Sequence, residues 1–220
     1  MTVQCKKLNK GALWLVLGGA FVLRLLLAAI TTGYSYDMGC FGAWAAKMAE
    51  SGPAAFYSEG YFADYPPGYL YVLGAVGVVQ KIFGLDFDGA AFKMLLALVP
   101  AACDCAAAWL VAQLGQRCLP DGRGVLCLTA FAAFHPAALF DTAVWKQIDG
   151  AFTLPILLCF LLLETKNYLP AAIFYGIALS IKPQALLFGP VLAACFLAGI
   201  VLEQDRLRAF GRCFAGAALA

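Results

Sequence analysis

The side chains able to do chemistry gather in two polar stretches and at a few isolated positions in this 220-residue chain. Asp37 and Asp64 lie in the segment Thr31–Gly68, and Asp141, Lys146, Gln147 and Asp149 share the connection Phe140–Gly150. A carboxylate can take a proton from a hydroxyl as a general base. A cation can hold a phosphate through charge-assisted hydrogen bonds. Lys182, just ahead of Pro183, and Arg24, six residues before Ile30, are the cations considered for that second task. Arg24 would have to reach ~9 Å along its helix to meet a lipid phosphate. Asp104 sits deep in an apolar block, where a charge needs a role or a partner, so an Arg24–Asp104 pair is the competing reading. Asp37 precedes a segment, Met38–Glu50, whose Phe41, Trp44, Ala45 and Met48 form one helical stripe. It is read either as the N-cap of that helix or as a catalytic base, and the two roles are compatible. Asp64 reads as a turn residue ahead of Pro66-Pro67, Asp141 as a cap, and Asp149-Gly150 as a turn into the next helix.

Metal chemistry is restricted by the same inventory. The one histidine, His135, is followed by Pro136 inside an apolar block and marks a kink; with no CxxC pair, no zinc site is expected. Asp37 and Asp149 are oxygen donors of the kind that Mg²⁺ or Mn²⁺ takes. Nine cysteines, six of them inside apolar blocks (Cys103, Cys105, Cys127, Cys159, Cys195, Cys213), read as small buried hydrophobes.

The elements that position these groups are transmembrane. With 63% hydrophobic and 13% charged residues, a water-soluble globule is excluded. The apolar blocks are Gly11–Ile30, Tyr69–Phe83, Gly89–Leu114, Gly124–Phe140, Ala151–Leu163, Tyr168–Ile181 and Ala185–Leu202, with a further run Cys213–Ala220 too short to span. The expected fold is all-α: one polytopic helix bundle over 1–220, read as truncated at its carboxy end, with extracytoplasmic loops at 31–68 and 141–150 and an amphipathic helix lying along the membrane in the first. Gly11–Ile30 lacks a small-residue cleavage site and is expected to remain as the first span. A net charge of +2 without a clustered basic face argues against a nucleic-acid partner.

Charge placement selects the threading. If every block crossed, loop cations would divide evenly, against the positive-inside rule. If Tyr69–Phe83 dips in or lies at the outer interface without crossing, Lys6, Lys7, Lys10, Arg117, Arg123, Lys166, Arg206, Arg208 and Arg212 fall inside and only Lys47, Lys81, Lys93, Lys146 and Lys182 outside. That arrangement puts Asp37 and Asp149 on one side, at a plasma membrane's outer face. The blocks flanking Lys166 are short for full spans. The many aromatics of the first loop are explained by an interfacial belt, with sugar stacking on one or two of them an open addition.

Four motifs in series carry a resemblance: Tyr36-Asp37 with Phe41 and Trp44; Asp64-Tyr65-Pro66-Pro67-Gly68-Tyr69; Ala143-Val144-Trp145-Lys146-Gln147-Ile148-Asp149; and Ile181-Lys182-Pro183-Gln184-Ala185. The chain resembles bacterial mannosyltransferase-like proteins related to the second GPI mannosyltransferase, which are GT-C fold membrane enzymes. The resemblance implies a polyprenyl-phosphate-sugar donor and a glycan, lipid or protein acceptor. It also implies catalytic roles for Asp37, Gln147 and Asp149; Lys182, Arg24 and Lys146 are the candidate donor contacts beside them, and Asp64, Tyr65 and Trp145 the candidate substrate-loop positions. Lys146 departs from the pattern, since relatives commonly carry glycine there. The rival readings are a secondary transporter lined by Arg24 and Asp104, for which no internal repeat is found, and a noncatalytic membrane assembly subunit.

Overall fold

The computed structural model describes residues 8–202, with side chains to residue 198, and every regular element among them is helical. Lys6, Lys7, Arg206, Arg208, Arg212 and the Cys213–Ala220 run lie outside the described residues. Among the described residues, three helices are long and apolar enough to cross a membrane: α1 (Lys10–Ile30), α4 (Ala90–Cys118), and the stretch Gly122–Trp145. That stretch is α5 (Gly122–Ala133), a break, α6 (Pro136–Leu139) and a π-helical turn, Phe140–Trp145. The break falls at Phe134–His135 because Pro136 cannot continue the ladder behind it. The kink expected at His135 is therefore present.

These three run side by side. Leu13, Leu17 and Ala20 of α1 pack with Ala108 and Ala112 of α4 and with Val125 and Ala133 of α5. Cys105 Sγ meets the Leu17 carbonyl, and Arg24 meets Asp104, so α4 runs antiparallel to α1. Thr31 Oγ1 donates to the Ala143 carbonyl, which brings the end of α1 beside the end of the π turn. The carboxyl end of α1, the amino end of α4 and residues 143–150 therefore share one end of the bundle.

The segment between α1 and α4 leaves and returns at that same end. It holds α2 (Ser35–Ser51), a 3₁₀ turn (Pro53–Ala55) and α3 (Pro67–Phe83). The helix read as Met38–Glu50 thus begins three residues earlier, at Ser35. The α2–α3 pair is close: a Cβ on Gly77 would lie 2.0 Å from the Ala45 carbonyl oxygen. Phe41, Trp44 and Met48 of α2 and Leu70, Leu73 and Val76 of α3 form a shared core with Phe92 and Leu96 of α4. At 29 residues α4 is ~44 Å long, well beyond a ~30 Å hydrocarbon core, so its first turns stand beside this hairpin. The second apolar block, Tyr69–Phe83, forms α3, and the chain is back at the same end when α4 begins.

Two shorter helices complete the bundle. α7 (Asp149–Glu164) and α8 (Tyr168–Ile181) form an antiparallel hairpin, with Ile156 near Ala178 and Cys159 near Ala171. α8 stops at Lys182 because Pro183 holds the preceding residue extended, with φ −143° and ψ 132°. The last apolar block is not one helix: Pro183–Phe188 is a 3₁₀ segment, followed by α9 (Gly189–Leu202).

This arrangement is testable by labelling. In a background without native cysteines, Glu59→Cys and Gln184→Cys are expected to react with an impermeant thiol reagent from the same side of sealed vesicles, and Pro120→Cys only from the other. Opposite accessibility of positions 59 and 184 would overturn the shared end.

Candidate active site

Three helix termini converge at the end shared by α1, α2, α4 and α7. Asp37 lies in the first turn of α2 and Asp149 in the first turn of α7, where free backbone N–H groups and the helix dipole favour a carboxylate. Lys182 caps the carboxyl end of α8, where the dipole favours a cation. Gln147 sits between them on the loop after the π turn, its own N–H tied to the Asp141 carbonyl at 2.9 Å.

The four side chains form one continuous polar chain. The Gln147 Nε2 donates to the Asp37 carboxylate, Lys182 Nζ donates to Gln147 Oε1 at 3.5 Å, and Lys182 Nζ pairs with Asp149 Oδ1. The amide orientation is dictated by its neighbours, since a carboxylate only accepts and an ammonium only donates. Lys182 is 7% exposed, whereas the Asp149 side chain is 43% exposed, so the ion pair is open on the carboxylate side. The Tyr65 ring lies 5.8 Å from Lys182 Nζ. Burial pushes the Tyr65 phenol up, helped by the charges of Asp149, Asp37, Asp64 and Asp141, so it stays protonated and able to donate.

Tyr65 is delivered by a tight contact. A Cβ on Gly68 would lie 2.5 Å from the Ser180 carbonyl oxygen, so only glycine lets the start of α3 touch the end of α8. Asp64 is exposed and Trp145 turns to the rim, its ring 5.8 Å from both Tyr34 and Phe140. A cleft of about 710 Å³ backs onto another face of α2 around Thr32, Gly42 and Phe87 and holds none of these polar groups.

Several expectations are corrected here. Asp37 is not the N-cap of α2; that position is Tyr34, and the Asp37 carboxylate is committed to Gln147. Arg24 does not reach a lipid phosphate: it is fully buried, with Nε on Asp104 Oδ2 at 3.0 Å and one terminal nitrogen on the carbonyls of Ala20 and Ala133. Thr142 Oγ1 donates to the same Asp104 oxygen at 2.7 Å. The competing pair is therefore the one formed. Lys146 also turns away from a donor role. It occupies a left-handed turn, φ 68°, a conformation that favours glycine. Its Nζ bonds Thr31 Oγ1 at 2.7 Å and the Ala143 carbonyl at 3.1 Å. Asp141 caps nothing with its side chain; its backbone carbonyl serves the loop. Among the described residues no cluster of three metal-ligating side chains forms. The positions facing Asp37 and Asp149 are filled by an amide N–H and an ammonium, a donor set that does not suit a divalent cation.

Residues 62–220 match the model of glycosyltransferase family 87. The chain belongs to glycosyltransferase family 87. Searches of curated proteins and of solved structures return no match. Family 87 is a membrane glycosyltransferase family of GT-C type, which makes the chain a membrane glycosyltransferase and its all-α bundle the expected architecture. Asp64, Tyr65, Gln147, Asp149 and Lys182 fall inside the family 87 match, while Asp37 precedes it.

Lys146 generates a pH prediction. Burial, aided by the charge of Lys93, brings its ammonium from the ordinary 10.5 down to about 8. Between these values the unfolded chain holds a proton that the folded chain has released, so stability rises with pH across this window. Below it the buried charge opposes folding. The melting temperature of wild type relative to Lys146→Met is expected to increase by a few degrees from pH 7 to pH 10, followed by thermal unfolding in detergent. A constant difference would place the amine in water.

Proposed function

We propose that this glycosyltransferase moves a hexose, mannose-like by its resemblance to relatives of the second GPI mannosyltransferase, from a polyprenyl-phosphate donor to an acceptor hydroxyl. The reaction is placed at the extracytoplasmic face of the cell membrane, in keeping with the cation distribution. The observation that carries this reading is the unbroken chain Asp37–Gln147–Lys182–Asp149 at one end of the bundle.

Each member has a task that its surroundings suit. A glycosyl phosphate already carries a good leaving group, so a general acid is dispensable and one base suffices. Asp37 is that base: Gln147 fixes one carboxylate oxygen, leaving the other to take the acceptor proton. The acceptor oxygen bonds to the anomeric carbon as the bond from that carbon to the phosphate oxygen breaks, with inversion. The electron pair leaves on the phosphate, which Lys182 stabilises by exchanging Asp149 for phosphate oxygens. Asp149 meanwhile keeps a cation at low exposure compensated until the donor arrives. The protonated Tyr65 phenol supplies a further donor beside Lys182. A glycan, a lipid or a protein can provide the hydroxyl in this scheme.

The direct assay incubates membranes containing the full-length protein with radiolabelled polyprenyl-phosphate sugars and follows transfer of label. Asp37→Asn keeps the shape and the hydrogen bonding but cannot accept a proton, so transfer is expected to fall by roughly 10²-fold or more with melting temperature and donor binding near wild type. Normal turnover by this variant would move the base elsewhere.

Lys182→Gln addresses the phosphate. Its expected effect is weaker donor binding by about 1.5–3 kcal/mol, as for a lost hydrogen bond to a charged group, read as a shift in the donor titration of folded protein. An unchanged titration would leave Lys182 as a partner of Asp149 only.

A further inference from the structure

Beside Asp37, on the next face of α2, lies a shallow cleft of about 440 Å³ lined by Tyr36, Cys40, Ala43, Tyr61 and Phe62. Two of its rings are open to solvent, Tyr36 at 60% and Phe62 at 55%, and they meet edge to face with centroids 6.4 Å apart. Phe62 is held in place from below: the Trp44 indole N–H donates to the Phe62 carbonyl at 3.0 Å, and the two rings lie 6.3 Å apart. Tyr61 is unavailable as a platform because the Lys47 ammonium sits over its ring at 3.5 Å. The free aromatic faces are therefore those of Tyr36 and Phe62.

The charge around this shelf is negative. Asp64, two residues from Phe62, is exposed and makes no hydrogen bond or ion pair among the described residues. The Cys40 thiol on the floor is raised chiefly by burial and then by Asp64 and Asp37, so both carboxylates are within electrostatic reach. An anionic headgroup is disfavoured here. A neutral ring with a C–H face and a hydroxyl edge is not, because aromatic faces carry partial negative charge and free carboxylates accept hydroxyl hydrogens. Phe62 and Tyr65 are three residues apart, a chain distance of at most ~11 Å, so a ligand one or two sugar rings long would reach from the shelf to the polar chain.

We propose that the Tyr36–Phe62 shelf, with Asp64 at its edge, is the acceptor subsite and that the acceptor presents a saccharide ring. This rests on the reading of Asp37 as base, which requires the acceptor hydroxyl beside it, and it selects a glycan-bearing acceptor among those open above. The donor phosphate then binds on the Lys182 side and the neutral sugar on the acidic side, so charge sorts the two substrates.

The test uses the full-length protein in nanodiscs and a panel of octyl hexosides, with octyl sulfate as the anionic amphiphile of equal chain length. Saturation-transfer NMR is expected to show transfer to the sugar-ring protons, and hexoside binding should exceed that of octyl sulfate. Phe62→Leu and Tyr36→Leu, which keep apolar bulk but remove the ring, should weaken hexoside binding about tenfold, whereas Phe62→Trp should retain it. Donor titration should not change in any of the three. Equal binding of hexoside and sulfate, or wild-type hexoside binding by Phe62→Leu with weaker membrane association, would make these rings interfacial anchors and overturn the proposal. Asp37→Asn separates the two readings: it should bind hexoside normally while failing to transfer sugar, and normal transfer would sink the base assignment without touching the shelf.

Discussion

The Arg24–Asp104 ion pair is the interaction on which the site's architecture depends. A charge at this depth cannot be left to itself, and removing one partner of such a pair costs about 3–5 kcal/mol. Satisfying the guanidinium and the carboxylate ties together α1 through Arg24, α4 through Asp104, and both halves of the broken Gly122–Trp145 stretch, α5 through the Ala133 carbonyl and the π turn through Thr142. The start of α7 then rests on this cluster, since a Cβ on Gly150 would lie 2.2 Å from Asp104 Oδ1. Asp149 precedes that glycine and Gln147 precedes Asp149, so a buried structural pair sets the height and direction of the polar groups above it.

Above the pair, the chain uses helix ends instead of helix faces. Two amino ends hold carboxylates and one carboxyl end holds an ammonium, each with the favourable sign of the dipole. Gln147 joins them because an amide can give a hydrogen to one neighbour and take one from the other. A carboxylate there would face Asp37 with like charge, and a lysine would crowd Lys182. The chain Asp37–Gln147–Lys182–Asp149 thus alternates acceptor and donor without a conflict.

Much of this organisation was legible from residue order. Composition and block length gave the helical bundle, and Pro136 gave the break at His135. Asp37, Gln147, Asp149 and Lys182 were already candidates, and the fold brings them into one network. What could not be read was which cation faces which carboxylate. Arg24 and Lys182 are both near helix ends in sequence, yet only the packing of α5 against α1 gives Arg24 the Ala133 carbonyl and closes it in. Lys146 looked like its neighbours until its left-handed backbone turned it towards Thr31. The glycines at 68, 77 and 150 matter through close approaches between distant segments, for which hydrophobic periodicity holds no signal.

The shortness of α7 and α8 has a consequence for the lipid around them. α8 has 14 residues and covers ~21 Å, less than a ~30 Å hydrocarbon core. Its far end is the turn at Thr165–Asn167, and its near end is Lys182. A bilayer meeting such a hairpin relieves the mismatch by thinning or by drawing polar groups inward. Headgroups on this flank would sit lower than those beside α1 and α4, forming a depression in the membrane surface whose floor is level with the ammonium. On the reading proposed above, a phosphate carried on a long hydrocarbon tail would then meet Lys182 without being lifted out of its leaflet.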